Sequence, residues 1–224
     1  MKDKLQELDG VLGYLIEQLK SKHLYDKLNL IVTSDHGMDT ISKETAIFLD
    51  SHIDTDLFDA YGSRACYSIF VKKSSDLEYV YKTLKQIKNI DVYKKAEIPD
   101  KLHYKLNVRM GDILIVTKVG FCVYINNQTI NWELNNGDHG YYNNESTMFP
   151  IFMAHGPAIK KGFKIESFNN VDIYPLMCLL LGVTPAINNG SLEKILDMVV
   201  YKTIETQFSW GMFYYFLLKA CAFF

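Results

Sequence analysis

The sequence predicts an α/β domain with a mostly parallel central sheet, and two observations lead to this fold class. Apolar residues recur at intervals of three and four between Leu5 and Leu19, which is the spacing of an amphipathic helix. Residues 29–33 then form a short apolar run rich in β-branched residues, typical of a strand buried on both faces of a parallel sheet. A helix followed by such a strand is half of an α/β repeat.

Further elements follow along the chain. Residues 65–71 have the composition of a strand, and residues 77–87 repeat apolar positions with helical spacing. Two more apolar runs, at 113–116 and 121–124, are separated by a short segment ending in Gly120. This pattern predicts two strands joined by a tight turn as an antiparallel hairpin.

The last predicted elements are a strand at 150–154 and a buried helix at 171–181. Asn170 stands where a residue capping the helix N-terminus would lie, Pro175 falls in the first turn, and Gly182 can end the helix. Residues 206–224 form a separate hydrophobic tail. It is slightly shorter than the roughly 20 apolar residues that cross a bilayer. Three interpretations of this tail remain: a truncated membrane anchor, a core or interfacial helix, or a misassigned gene end.

Composition and charge exclude several classes of protein. Of 224 residues, 48% are hydrophobic and 22% charged, which is typical of a folded globular chain. The formal net charge is −2 and no basic stripe is present, so we expect no nucleic-acid polymer as a partner. The sequence has no nucleophile elbow, P-loop or G-x-G-x-x-G motif, the signatures of serine hydrolases, P-loop NTPases and dinucleotide-binding folds.

The N-terminus and the cysteines bear on the cell compartment. The first residues lead into an amphipathic helix and lack the apolar core of a secretory signal, so the chain is either cytosolic or a fragment of a longer protein. The four cysteines are far apart, which argues against a cysteine zinc site and leaves disulfides open. Three sequons make Asn127, Asn144 and Asn189 glycosylation candidates and favour secretion weakly.

Asp35 and His36 directly follow the strand predicted at 29–33. The carboxyl ends of strands carry the ligand sites of open α/β sheets. A carboxylate and an imidazole are both good zinc ligands, and Gly37 allows the chain to bend or approach a ligand closely. The alternative is a hydrogen-bonded turn that only caps the next segment.

His139 lies between glycines in a second polar segment, preceded by Asp138. It is a candidate metal ligand, with a solvated loop residue as the alternative. Asp138 could orient the imidazole of His139 through a hydrogen bond, or it could serve only as a turn residue. His155, which follows the strand at 150–154, could bring a third imidazole, although we favour a turn that positions the strand end.

Three blocks of sequence resemble the ectonucleotide pyrophosphatase/phosphodiesterases of the alkaline phosphatase superfamily. The first block is LIVTSDHGM at 30–38. The second comprises GDHGY at 137–141, Met148 and AHGPA at 154–158. The third is VDIYPLMC at 171–178, followed by Pro185 and by NNG at 188–190. Their order and spacing match the family across residues 5–196, and their residues are most similar to those of the membrane-anchored types four and five. The resemblance implies a three-layer α/β/α sandwich, here incomplete, with residues 1–205 forming the C-terminal part of the catalytic domain.

The resemblance also implies a site with two zinc ions. Asp35 and His36 would bind one ion and His139 the other. Asp138 would orient a ligand without binding the metal itself. The family uses a threonine nucleophile that forms a covalent nucleotidyl intermediate. Neither Thr33 nor Thr40 stands at the matching position, and half of the expected zinc ligands have no match. We therefore expect the chain alone to be inactive. We interpret the sequence as an incomplete gene model or a splice fragment, in preference to a truncated pseudoenzyme.

The expected activity of the intact protein is hydrolysis of phosphodiester or pyrophosphate bonds in nucleotides or dinucleoside polyphosphates. The resemblance implies a location at the extracellular face of the plasma membrane or outside the cell. Two alternatives remain: a choline-phosphate phosphodiesterase of the same family, and a non-catalytic cell-surface interaction module.

Overall fold

The computed structural model describes residues 2–126 and 136–200 and the backbone of 217–219. Contacts between residues divide this part of the chain into two compact units. The first unit consists of residues 2–35, 150–200 and 217–219, and the second consists of residues 36–126 and 136–149. Each unit is described by itself below.

The helices and strands of the described residues are, in chain order, α1 (Lys2–Ser21), β1 (Leu30–Thr33), β2 (Asp39–Thr40), β3 (Ala46–Phe48), β4 (Phe58–Ser63), β5 (Cys66–Val71), α2 (Leu77–Lys85), β6 (Ile90–Lys94), β7 (Ile113–Thr117), β8 (Cys122–Tyr124), β9 (Gly137–Asp138), β10 (Phe152–His155), α3 (Ile173–Leu181) and β11 (Leu217–Lys219). The predicted helices at the N-terminus and at 77–87 and 171–181 are confirmed, as are the strands predicted near 29–33, 65–71 and 150–154.

The first unit is built around a three-stranded sheet with β1 at its centre. Strand β1 pairs antiparallel with β10, so that Leu30 lies opposite His155 and Thr33 opposite Phe152, and it pairs parallel with β11. Side chains from β1, α3 and the following segment form one core, whose buried members are Ile31, Ala158, Leu176, Leu180, Ile195, Met198 and Val199. The β-branched run at 29–33 is therefore buried, as its composition predicts.

Helix α3 begins two residues later than the sequence suggests. Residue 170 is not its cap, because Asn170–Asp172 form a short 3₁₀ turn that precedes the helix. The buried carboxylate of Asp172 accepts hydrogen bonds from the backbone N–H groups of Asn169 and Ser191 and so holds this turn. The helix ends at Gly182, whose φ of 66° is a left-handed conformation that glycine adopts without strain.

The second unit contains a four-stranded antiparallel sheet in the order β4-β5-β7-β6, with α2 packed on it. Its core is apolar, and the fully buried members include Leu49, Ile69, Val80, Leu84, Val92, Ile113, Ile115 and Val123. Two small additions complete the unit: β3 pairs parallel with β8, and β2 pairs antiparallel with β9. Antiparallel pairs therefore predominate among the described strands, although the prediction was a mostly parallel sheet.

The predicted hairpin between residues 113–116 and 121–124 is wrong. Both segments are strands, but β7 is hydrogen-bonded to β5 on one side and β6 on the other, so neither of its edges is available. Strand β8 pairs with β3 instead, Ala46 lying opposite Cys122. Continuous apolar runs identify the strands, whereas the choice of partner depends on segments distant in sequence.

The hydrophobic tail falls mostly outside the described residues, since only the backbone of β11 is described within 206–224. None of the helices in the described part of the chain has the length and apolar character needed to span a bilayer. Asn127 also lies outside the described residues, while Asn144 and Asn189 are exposed. Cys66, Cys122 and Cys178 are free thiols.

Candidate functional site

Asp35 is the last residue of the first unit and follows the carboxyl end of β1. Hydrogen bonds to Ile151 fix this strand end: the Thr33 hydroxyl donates to the Ile151 carbonyl over 2.9 Å, and the Ile151 N–H donates to the Ser34 hydroxyl over 3.0 Å. Asp35 itself is exposed, and its backbone carbonyl accepts a hydrogen bond from the Asn170 amide over 3.4 Å.

His36 and His139 meet within the second unit, as the sequence predicts. Their imidazole rings are stacked, with 3.7 Å between ring centroids and 12° between ring planes. Strands β2 and β9 bring the two segments together, since Asp39 lies opposite Asp138 and Thr40 opposite Gly137 in the ladder. Each histidine lies within a few residues of this short ladder, which therefore positions both rings.

The hydrogen bond of His36 determines which ring nitrogen carries the proton in the neutral ring. Its Nδ1 lies 2.7 Å from the carbonyl oxygen of Gly37. A carbonyl oxygen only accepts, so Nδ1 carries the proton and Nε2 is left with the lone pair. Metal-binding histidines commonly donate their other ring N–H to a carbonyl in this way, which fixes the ring and its tautomer. In this tautomer, Nε2 is the ring atom through which His36 could hold a metal.

Gly37 is required by a close approach of two backbone segments. Its N–H donates to the carbonyl of Met148 over 2.9 Å. A Cβ at position 37 would lie 1.9 Å from the Thr147 carbonyl oxygen, a distance at which the segment must move. The sequence predicted a bend or a close approach to a ligand at this glycine, whereas the close neighbour in the structure is the backbone of Thr147.

Asp138 holds the backbone beside His139. One carboxylate oxygen accepts the N–H of His139 over 2.9 Å, and the other lies 2.9 Å from Nε of Arg64. Arg64 also donates to the Gly137 carbonyl over 3.2 Å and to the Tyr124 hydroxyl over 3.3 Å. The carboxylate is 5% exposed, so this ion pair is largely shielded from solvent. These contacts make Asp138 a residue that positions the loop.

Arg64 was not identified from the sequence. It lies in the turn between β4 and β5 and has no motif around it. Its role depends on a partner more than seventy residues away, and no local pattern reports such a contact. Burial lowers the pKa of this guanidinium, but the Tyr124 hydroxyl and the Asp138 carboxylate outweigh that effect and raise it. Arg64 therefore stays cationic beside the buried carboxylate.

Two tyrosines after His139 anchor the same loop. The Tyr141 hydroxyl donates to the Phe121 carbonyl over 2.6 Å. The Tyr142 hydroxyl donates to Asp91 over 2.8 Å and lies 3.0 Å from the hydroxyl of Tyr93. Burial raises the pKa of Tyr142, and its bonds to Tyr93 and Asp91 raise it further. Both phenols are neutral at physiological pH and act as donors that hold the loop.

The remaining sequence candidates have other surroundings. His155 belongs to the first unit, where its ring stacks on Tyr25 with 4.0 Å between centroids. Within residues 2–126 and 136–200, no group of three or more His, Cys, Asp or Glu side chains is arranged to hold a metal ion. The features that suit a metal are the stacked pair of His36 and His139 and the tautomer of His36.

The chain was compared with protein-family models. Residues 1–142 match the model described as type I phosphodiesterase / nucleotide pyrophosphatase. This match covers both Asp35-His36 and the segment that contains His139.

Curated relatives agree with this match. The chain is 39% identical over 196 residues to human ectonucleotide pyrophosphatase/phosphodiesterase family member 5, covering 87% of this chain and 40% of that protein. It is 40% identical over 195 residues to a bis(5'-adenosyl)-triphosphatase of Xenopus laevis, covering 87% of this chain and 42% of the relative. The chain thus spans about two fifths of the length of these relatives.

Solved structures show the same similarity in three dimensions. Human ectonucleotide pyrophosphatase/phosphodiesterase 5 matches with a TM-score of 0.81 and 39% identity, over 86% of this chain and 51% of that one. The murine protein, solved as an inactive threonine-to-alanine variant in complex with AMP, matches with the same score and identity over 87% of this chain. These matches confirm the predicted alkaline-phosphatase-like α/β fold, of which this chain is a part.

Proposed function

The chain belongs to the type I phosphodiesterase / nucleotide pyrophosphatase family, and from this premise we propose that it forms part of a zinc-dependent hydrolase. The bonds cleaved are phosphodiester or pyrophosphate bonds in nucleotides or dinucleoside polyphosphates. The substrate class is supported by a relative named as a bis(5'-adenosyl)-triphosphatase and by the AMP complex of a solved relative. Both are properties of those proteins, and their extension to this chain is the proposal.

The observation that carries the proposal is the stacking of His36 and His139. The 3.7 Å between their ring centroids is similar to the ~3.5–4 Å that separates the ions of two-metal hydrolases. Two parallel imidazoles at this separation can each serve a different ion of such a pair. The proton on Nδ1 of His36 leaves Nε2 as its ligand atom.

We assign Asp35 and His36 to one zinc ion and His139 to the other. When bound, the two ions would act as Lewis acids toward the phosphoryl oxygens and lower the pKa of the attacking hydroxyl. Asp138 accepts the N–H of His139 and pairs with Arg64, so it keeps the ligand-bearing loop in place. No residue of this chain is assigned as the nucleophile.

Residues 1–224 alone are therefore proposed to be inactive. Two histidines and one carboxylate leave both ions with too few protein ligands to fix their geometry, because zinc sites generally have three or four. In the intact protein we place the domain outside the cell, with the sequons at Asn144 and Asn189 accessible. Residues 206–224 remain a candidate anchor on sequence grounds alone.

A chimera tests the proposal. The 195 residues of this chain that match the Xenopus triphosphatase replace the corresponding segment of that enzyme. We expect zinc-dependent hydrolysis of bis(5'-adenosyl) triphosphate, lost in the His36→Ala and His139→Ala chimeras. His52→Ala is the control, because His52 is exposed and distant in sequence from both histidines. Activity confined to a choline-phosphate ester would support the alternative substrate, and a folded chimera inactive on both would refute the proposal.

A further inference from the structure

The first unit contains a cavity that none of the proposed catalytic residues lines. Its volume is about 710 Å³, within the range of small-molecule sites. Strand β10 forms one wall, residues 159–165 form a second, and Tyr25 and Asp26 close one side. Because all of these residues belong to the same unit, the cavity is a property of that unit.

A histidine on the wall has an unused polar atom. The Nε2 atom of His155 is buried and has no hydrogen-bond partner within the described part of the chain. Its nearest carboxylate oxygen, on Asp26, is 3.8 Å away, beyond hydrogen-bond distance. The ring is held in place by stacking on Tyr25, with 4.0 Å between centroids and 13° between planes. A buried polar atom without a partner carries a free-energy cost that a bound ligand can remove.

The charge of the lining is opposite to that of the chain. Three lysines, Lys160, Lys161 and Lys164, line the cavity, and one carboxylate, Asp26, opposes them. The whole chain has a formal net charge of −2, so this local excess of positive charge is a feature of the cavity. Clustered cations on a concave surface attract anions and raise their local concentration.

Apolar side chains complete the lining. Phe152, Met198 and Phe163 contribute to the wall, and the ammonium group of Lys160 lies 5.4 Å from the centre of the Phe163 ring. A ligand that is only a small inorganic anion would leave this apolar surface in water. The lining therefore suits a molecule with an apolar body and one anionic group.

We propose that this cavity binds a small organic anion, with its phosphate group toward the lysines and His155 and its apolar body against Phe152 and Phe163. The phosphate oxygens would accept hydrogen bonds from the lysine ammonium groups and from the Nε2–H of His155. This is a second binding site of the chain, and it does not depend on the phosphodiesterase proposal.

The test uses phenyl phosphate and the 224-residue chain labelled with ¹³C-histidine. The His155 ring signal, identified by its loss in His155→Gln, is followed as the ligand is added. We expect a saturable shift, with inorganic phosphate binding at least about tenfold more weakly because it lacks the apolar body. The variant carrying Lys160→Gln, Lys161→Gln and Lys164→Gln should also bind about tenfold more weakly.

A matched triple variant controls for total charge. Lys43→Gln, Lys73→Gln and Lys88→Gln remove the same charge from exposed positions in the second unit, and binding should stay unchanged. The proposal is overturned if the His155 signal does not shift, if both triple variants weaken binding equally, or if inorganic phosphate binds as tightly as phenyl phosphate. Circular dichroism confirms that each variant is folded.

Discussion

The imidazole rings of His36 and His139 lie face to face, 3.7 Å apart at their centroids, although the two residues are far apart in the sequence. The β2–β9 ladder, the close approach at Gly37 and the contacts of Asp138 all converge on this pair. The stacked pair is thus the product of several independent contacts, each of which can be altered separately.

The close approach at Gly37 should make this position intolerant of any side chain. We expect Gly37→Ala to lower the free energy of unfolding by about 2–3 kcal/mol, because the new Cβ would meet the Thr147 carbonyl oxygen at 1.9 Å. Urea denaturation followed by circular dichroism measures the change. Gly13→Ala is the control: nothing lies within 4 Å of its Cβ, and alanine should stabilise α1 by about 0.5–1 kcal/mol. Equal stability of the two variants would show that the backbone at Gly37 moves freely.

The ion pair between Arg64 and Asp138 should be sensitive to a change in either partner. We expect Arg64→Lys and Asp138→Asn each to cost about 1–3 kcal/mol, since each leaves a largely buried group without its matched partner. A double-mutant cycle in urea denaturation measures the coupling, which should be at least about 1 kcal/mol. The matched control is the exposed pair Lys72–Asp59, where coupling should be well below this value. Additive effects at Arg64 and Asp138 would argue against an energetically coupled pair.

The hydrogen bond from Tyr142 to Asp91 should give a pH-dependent contribution to stability. Burial alone would raise the pKa of Asp91, but hydrogen bonds from Lys118 and Tyr142 outweigh it and lower this pKa. Stability from a lowered carboxyl pKa is present above the unfolded value of about 4 and is lost as pH falls through the folded pKa.

We therefore expect Tyr142→Phe to be less stable than the wild type by about 1–2 kcal/mol at pH 7, with a smaller difference at pH 3. Denaturation at the two pH values measures both differences. Tyr79→Phe is the control, because the Tyr79 side chain is exposed and its loss should change little at either pH. A difference for Tyr142→Phe that is unchanged or larger at pH 3 would contradict the assignment.

The thiols of Cys66 and Cys122 should resist alkylation until strongly alkaline pH. Burial raises the pKa of both Cys66 and Cys122 to about 11. Iodoacetamide reacts with the thiolate, so both should label slowly at pH 8 in the native chain and rapidly in urea. Peptide mass spectrometry distinguishes the sites, and native labelling as fast as in urea would contradict the prediction.

The same raised pKa values determine whether the free energy of unfolding rises or falls at alkaline pH. A thiol whose folded pKa is raised contributes stability below the unfolded pKa of about 8.5 and loses it as pH rises toward the folded value. We expect the free energy of unfolding to fall between about pH 9 and 11. Tyrosines whose pKa is raised by burial add to this fall at the upper end.

Local patterns were sufficient for some of the elements and singled out two residues that meet in the structure. Helix α1 and strand β1 follow from spacing and β-branched composition. His36 was selected because it follows a strand, and His139 because it lies between glycines in a family-like block. The partner of β8 and the role of Arg64 could not be predicted, because both depend on tertiary contacts that leave no local pattern. The zinc assignments to Asp35, His36 and His139 remain predictions.

Zinc titration of the ¹³C-histidine-labelled chimera is the most direct test of the central claim, that His36 and His139 bind two neighbouring zinc ions. We expect zinc to shift the ring signals of both histidines and to leave that of His52 unchanged. The His36→Ala and His139→Ala chimeras should each lose roughly one of the two ions, because each loses a ligand of one ion. If zinc leaves either ring signal unshifted, or if the His139→Ala chimera keeps both ions, the account of this site is wrong.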